Sequence, residues 1–131
     1  MKLNLDCLRS VLQKAEEIPF DHTLKLVDLY DELPDYSKDD VHYSCIKLYE
    51  AGMITASIID VDNLPIFHVH SIIDITFKGH EFHAKIKDDS RWKGIKKALP
   101  AIRDYSLDAI NAVANGFAST AITAYLSRPT P

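Results

Sequence analysis

The sequence predicts a single α+β domain spanning residues 1–131, and three observations carry that expectation. A chain of 131 residues suffices for one hydrophobic core and is too short for two ordinary ones. Several segments repeat apolar residues at helical spacing. Two neighbouring runs rich in Ile and Val, joined by a turn, read as an antiparallel hairpin set among those helices.

Taken in order, Asn4 can cap a first helix in which Leu5, Leu8, Val11, Leu12 and Ala15 form one face, ending near Glu17 ahead of Pro19. The stretch from His22 to Leu29 alternates partly and reads as a short strand, with a short helix as the alternative. Pro34, Asp35 and Ser37 make a turn, and Ser37 with Asp40 resembles a capping box for a helix over 38–51. Val41, Cys45 and Leu48 line that helix, and Gly52 stops it. The hairpin strands follow, Met53 to Val61 and Ile66 to Asp74, with Asp62-Asn63-Leu64-Pro65 as the turn. Strict alternation places Phe67, Val69, Ile73 and Ile75 on one face and Ile66, His68, His70 and Ile72 on the other, so neither face is cleanly polar. Thr76 caps a further helix striped by Gly79, Phe82 and Ile86, where the glycine allows close packing on the sheet. After Asp88-Asp89-Ser90 another helix carries Trp92, Ile95 and Leu99 until Pro100 stops it. A C-terminal helix, placed within 104–128, runs from Ser106 to Leu126 and either packs on the domain or forms a dimer interface through Ile110, Val113, Ala114, Phe117 and Ala121. This order of helix, strand, helix, β-hairpin wing and helices is that of a winged-helix-like domain, with 38–51 in the place of the recognition helix.

Composition and motifs narrow the function classes. With 47% hydrophobic and 26% charged residues the chain is globular in type. It has no signal-peptide series and no apolar run long enough to span a bilayer, so a cytoplasmic protein without a membrane partner is expected. Cys7 and Cys45 lack CxxC or zinc spacing and read as buried free thiols. The stretch Gly79-His80-Glu81-Phe82-His83 looks like a zinc hydrolase motif, but its histidines are three apart instead of four and Lys87 follows on the same face. A wider set with His68 and His70 lacks an acidic or cysteine ligand at a ligand spacing. No phosphate loop, nucleophile elbow or reactive cysteine setting is present. No catalytic residue, metal or cofactor is therefore assigned.

Charge is unevenly spread. Between Glu16 and Asp62 twelve acidic residues face only Lys25, Lys38 and Lys47, whereas eight basic residues between Lys78 and Arg103 face Glu81, Asp88 and Asp89. Two candidate binding surfaces follow. The helix over 38–51 offers Lys38, His42, Tyr43, Ser44 and Lys47 to a DNA groove, opposed by Asp39, Asp40 and Glu50. A basic patch comprises Lys78, Lys85, Lys87, Arg91, Lys93, Lys96 and Lys97, interleaved with Trp92, and suits a solvated helix face better than a nucleic-acid or acidic-partner surface.

The run Tyr36 to Ile54, "YSKDDVHYSCIKLYEAGMI", followed by Ile72 to Lys97, "IIDITFKGHEFHAKIKDDSRWKGIKK", resembles the phage and bacterial family catalogued as domain of unknown function 2513. The resemblance rests on Glu50-Ala51-Gly52, Thr76, Gly79-His80-Glu81-Phe82, Asp88-Asp89 and Trp92, and spans nearly the whole chain. Members often carry Tyr-His where this chain has Tyr43-Ser44, and Leu-Asp where it has His83-Ala84. The family implies a winged-helix-like fold, a mobile-element setting and no established activity. The expected function is a non-enzymatic phage or prophage protein that regulates or inhibits a protein partner. The alternative is a DNA-binding regulator using the 38–51 helix and the lysine-rich 78–97 segment; a homodimer is expected in either case.

Overall fold

The structure, a computed structural model, describes residues 1–102 and 106–126, with side chains for 1–100 and 106–116. Among the described residues it is an α+β fold of six helices and a three-stranded antiparallel sheet. These residues group into two compact units, Met1–His83 and a second beginning at Ala84.

In the first unit, α1 (Leu5–Glu16) starts where the Asn4 side chain accepts the Cys7 N–H at 3.1 Å. It buries Leu8, Val11, Leu12 and Ala15 against α3 and the sheet. The expected strand after His22 shrinks to β1 (Leu24–Lys25), and α2 (Leu26–Glu32) takes the rest. Helical spacing prevails because Leu26, Leu29 and Leu33 recur at three and four residues and all three are buried. In α3 (Lys38–Glu50) the Ser37 hydroxyl accepts the Asp40 N–H at 3.1 Å, which satisfies a free first-turn amide.

The end of α3 is a Schellman motif. Gly52 adopts φ +73°, its N–H reaches Tyr49 O at 3.0 Å, and the Met53 N–H reaches Leu48 O at 2.9 Å. The chain then enters β2 (Ile54–Ile59) and returns as β3 (His68–Ile75), in the sheet order β1-β3-β2. Strict alternation fails in β3, because Ser71 and Ile72 are both buried and Ile73 is exposed. Two bulges explain it. Thr55 faces Asp74 and Ala56 faces Ile72, leaving Ile73 unopposed, while Ser57 faces Ser71 and Ile58 faces Val69, leaving His70 unopposed.

The base of the hairpin is tied to the start of α4 (Phe77–Ile86). Thr76 donates its N–H to Met53 O at 3.0 Å and its hydroxyl to Gly52 O at 2.7 Å, and the hydroxyl accepts the Gly79 N–H at 3.1 Å. Gly79 lies so close to the sheet that a Cβ there would stand 2.1 Å from Met53 O and 2.7 Å from Ile75 Cγ1. The expected close approach at this glycine is thus a matter of contact distance.

In the second unit α5 (Asp89–Ile102) packs on α6 (Leu107–Leu126) and buries Trp92, Ile95 and Leu99 together with Ile110 and Ala114. Asp88 and Ser106 cap the two helices, accepting Arg91 N–H at 2.7 Å and Ala109 N–H at 3.0 Å. Pro100 lies inside α5 instead of ending it. Within two residues of the helix end, the missing proline N–H removes a single hydrogen bond and the last turn survives. None of the described helices is long and apolar enough to cross a membrane.

Candidate functional site

Three elements bring the best candidate surface together: the outer face of α3, the hairpin turn and the start of β3. Tyr43, Lys47 and Glu50 on α3 face Asp60, Ile66 and Phe67 across an open cleft of about 470 Å³. The Tyr49 and Phe67 rings meet edge to face with centroids 5.6 Å apart, which fixes the hairpin's return strand against α3. Ile58, Ile59, Val61 and Ile66 are exposed around the free end of the hairpin. Lys47 is committed, with its Nζ 2.9 Å from Glu50 Oε2 and 5.1 Å from the Tyr43 ring centroid. The hydrogen bond to Glu50 raises its pKa.

The structure separates the five α3 candidates. Tyr43 and Lys47 line the cleft, and Lys38 sits over the Tyr30 ring at 5.6 Å. His42 turns inward, where its Nε2 accepts the Val69 N–H at 2.9 Å and its ring stands edge-on to His68 at 4.9 Å between centroids. Burial, aided by His68, lowers its pKa, so the ring serves as a neutral acceptor. Ser44 is fully buried, with its hydroxyl against the Cys7 thiol, so it cannot present itself to any ligand. Its position one turn along from the buried Val41 places it on the inner face of α3.

The basic residues do not form one continuous feature of one unit. Lys78 belongs to the first and donates to Ala51 O at 3.0 Å, while Lys85, Lys87, Arg91, Lys93, Lys96 and Lys97 belong to the second. There Lys85 donates to Asn111 Oδ1 at 3.1 Å and Lys96 lies 6.0 Å from the buried Trp92 ring. Lys87, Lys93 and Lys97 are exposed. On α6, Ile110 and Ala114 are fully buried within the chain and are unavailable to a second copy. Val113 is half-buried, and the side chains of Phe117 and Ala121 lie outside the described residues.

The Gly79–His83 stretch assembles something its spacing does not suggest. His83 is buried, with Nδ1 on Glu16 Oε2 and Nε2 on Gln13 Oε1, both from α1. His80 is exposed, 4.0 Å from the same Glu16 oxygen. His83 thus bridges two residues of α1 through both of its ring nitrogens. Gln13 and Glu16 carried no motif, and their separation of 70 residues between Gln13 and His83 leaves no local signal. Among the described residues no group of three or more His, Cys, Asp and Glu could hold a metal ion. Cys7 and Cys45 are free and buried, and burial pushes the Cys45 thiol up to about 12 and that of Cys7 in the same direction. Neither forms a thiolate near neutral pH.

Residues 2–103 match the family model described as hypothetical protein, domain of unknown function 2513. An uncharacterized protein of Haemophilus influenzae (strain ATCC 51907 / DSM 11121 / KW20 / Rd) is 33% identical over 115 residues, covering 87% of this chain and 92% of the relative. No solved structure matches the chain. The residues that carried the resemblance fall largely at joints of the fold: Gly52 and Thr76 at the hairpin base, Gly79 on the sheet, Asp88 at a helix start and Trp92 in a core. The chain belongs to the domain of unknown function 2513 family.

Proposed function

We propose that this is a winged-helix-type protein, phage or prophage encoded, that regulates or inhibits a protein partner by contact and carries out no chemistry of its own. The element order and the sheet order β1-β3-β2 support the winged-helix reading, with α3 as recognition helix and β2–β3 as wing. One observation carries the choice of a protein over DNA. From Met53 to Asp74 the hairpin has three aspartates and no Lys or Arg, its free end exposes Ile58, Ile59, Val61 and Ile66, and the Lys47 ammonium beside it is paired with Glu50. Phosphate contact needs unpaired cations at that place, whereas a protein interface is served by exposed hydrocarbon with a polar rim.

The second reading, a DNA-binding regulator, draws support from exposed Lys87, Lys93 and Lys97. Affinity capture with the wild type and with an Ile58→Ser/Ile66→Ser variant, followed by mass spectrometry, tests the first reading. A partner retained by the wild type and lost by the variant is expected. A mobility shift on duplex DNA at graded salt tests the second: binding that falls steeply with salt supports it, and no binding at about 50 mM salt ends it. A homodimer remains part of the proposal, through surfaces other than Ile110 and Ala114.

A further inference from the structure

We propose a second docking surface, at the connection between α1 and β1, for a partner segment that is apolar and positively charged. It is independent of the α3–hairpin surface and rests on two backbone irregularities that meet at one place. The first is a tight turn, Pro19 to His22, closed by the His22 N–H on Pro19 O at 3.1 Å. Its third residue, Asp21, has φ +65°, a conformation that glycine or asparagine ordinarily supplies there. The turn leaves the preceding Phe20 97% exposed. The second is the β3 bulge, which turns Ile73 out of the sheet so that it is 45% exposed. Phe20 and Ile73 lie around one open cleft of about 300 Å³, with Ile18 and Pro19 also in its wall.

The charge around this apolar cleft selects the occupant. Asp21 and Asp74 line it, no Lys or Arg does, and His22 is the one base in the wall. Among the described residues Asp21 has no ion pair or hydrogen bond of its side chain, and Asp74 uses one oxygen to accept the Ile75 N–H at 2.8 Å. An aspartate in place of glycine at Asp21 puts a free carboxylate where the turn would be better served without a side chain. A segment with an apolar side chain for the cleft and a flanking Lys or Arg for Asp21 and Asp74 satisfies both chemistries. Two copies of this surface would instead bring like charges together.

The test is a titration of the isotopically labelled full chain, followed by backbone resonances, with two synthetic peptides sharing a Leu-Leu core. One is flanked by Lys and Arg, the other by Glu. The cationic peptide is expected to shift Phe20, Asp21, Ile73 and Asp74 together, and the acidic one to shift none of them. Binding should weaken about fivefold in Phe20→Ser and in Asp21→Gly, and fall further as salt shortens the reach of the carboxylates. Asp21→Gly relieves the turn, so lost binding in that variant cannot be ascribed to lost folding. The proposal is overturned if the four residues do not shift, if both peptides bind alike, or if neither substitution matters. It is also overturned if the same resonances move with protein concentration alone, which assigns the cleft to a second copy.

Discussion

Thr76 and Gly52 share the shortest of the contacts that close the hairpin, 2.7 Å from hydroxyl to carbonyl, although 24 residues separate them. The same hydroxyl accepts the Gly79 N–H and starts α4, so one side chain caps a helix and fastens the end of another. Thr76→Val keeps the shape and loses both bonds. It should lower stability by about 1 to 2 kcal/mol, read as a lower urea midpoint with an unchanged slope.

Glycine substitutions should separate by their surroundings. Gly79→Ala forces a methyl group into Met53 O and Ile75, and destabilisation on the order of 3 kcal/mol is expected. Gly52→Ala meets no atom within 4 Å but must hold φ +73°, at about 1 to 2 kcal/mol. Gly116→Ala, in open space on a helix, should raise stability by roughly 0.5 to 1 kcal/mol. Equal effects at the three positions in thermal or urea unfolding would contradict the geometry.

Ser44 offers the opposite case, since its buried hydroxyl has no nitrogen or oxygen partner and meets only the weakly bonding Cys7 thiol. Ser44→Ala removes a poorly satisfied group and leaves almost no cavity. Unfolding should show unchanged or higher stability, by up to about 1 kcal/mol. A large loss would mean that the contact with the Cys7 thiol is a strong hydrogen bond.

The lowered pKa of His42 makes stability depend on pH with a definite sign. The unfolded imidazole titrates at its ordinary value of 6.5 and the folded one below it, so the unfolded chain binds the proton more readily. This contribution is complete above pH 6.5 and is lost as pH falls through that value toward the folded pKa. His42→Gln, which can still accept from Val69 N–H but does not titrate, should flatten the fall of the urea midpoint between about pH 7.5 and about pH 5.5. An identical slope in both proteins would remove His42 as a cause.

Glu16 and His83 should be energetically coupled. Each single alanine variant loses the shared contact, so a double-mutant cycle should return a coupling of roughly 1 to 3 kcal/mol. Additive losses would show that the contact contributes nothing beyond packing.

What could be read from sequence was the local grammar. Asn4, Ser37, Gly52 and Thr76 announce helix ends because caps depend on residues within three or four positions, and each does its expected work. What could not be read was decided by contacts distant in sequence. The phase of β3 depends on where β2 places its partners, so Ile72 and Ile73 exchange faces without any change in their own sequence. His83 is a surface residue by composition and an interior one by virtue of Glu16 and Gln13. Ser44 is a different case: three residues after Val41 and four before Leu48, it shares their inner face, and helical spacing alone excludes it from the outer surface. At the candidate surface the charge pattern was legible, but the pairing of Lys47 and the inward turn of His42 follow from side-chain packing that no local pattern encodes.

The hairpin base has a mechanical meaning. Three successive carbonyls, Ala51, Gly52 and Met53, are each held by the segment that follows β3, through Lys78 and the hydroxyl and N–H of Thr76. Both legs of the hairpin are thus clamped to the same few atoms, while its tip beyond Ile59 and before His68 is free of strand pairing. A pull or push at that tip is carried as a lever carries it, to a fixed end where α3 stops and α4 begins. A partner that grips Ile58 or Ile66 would therefore be felt first at Gly52 and Thr76, some distance from anything it touches.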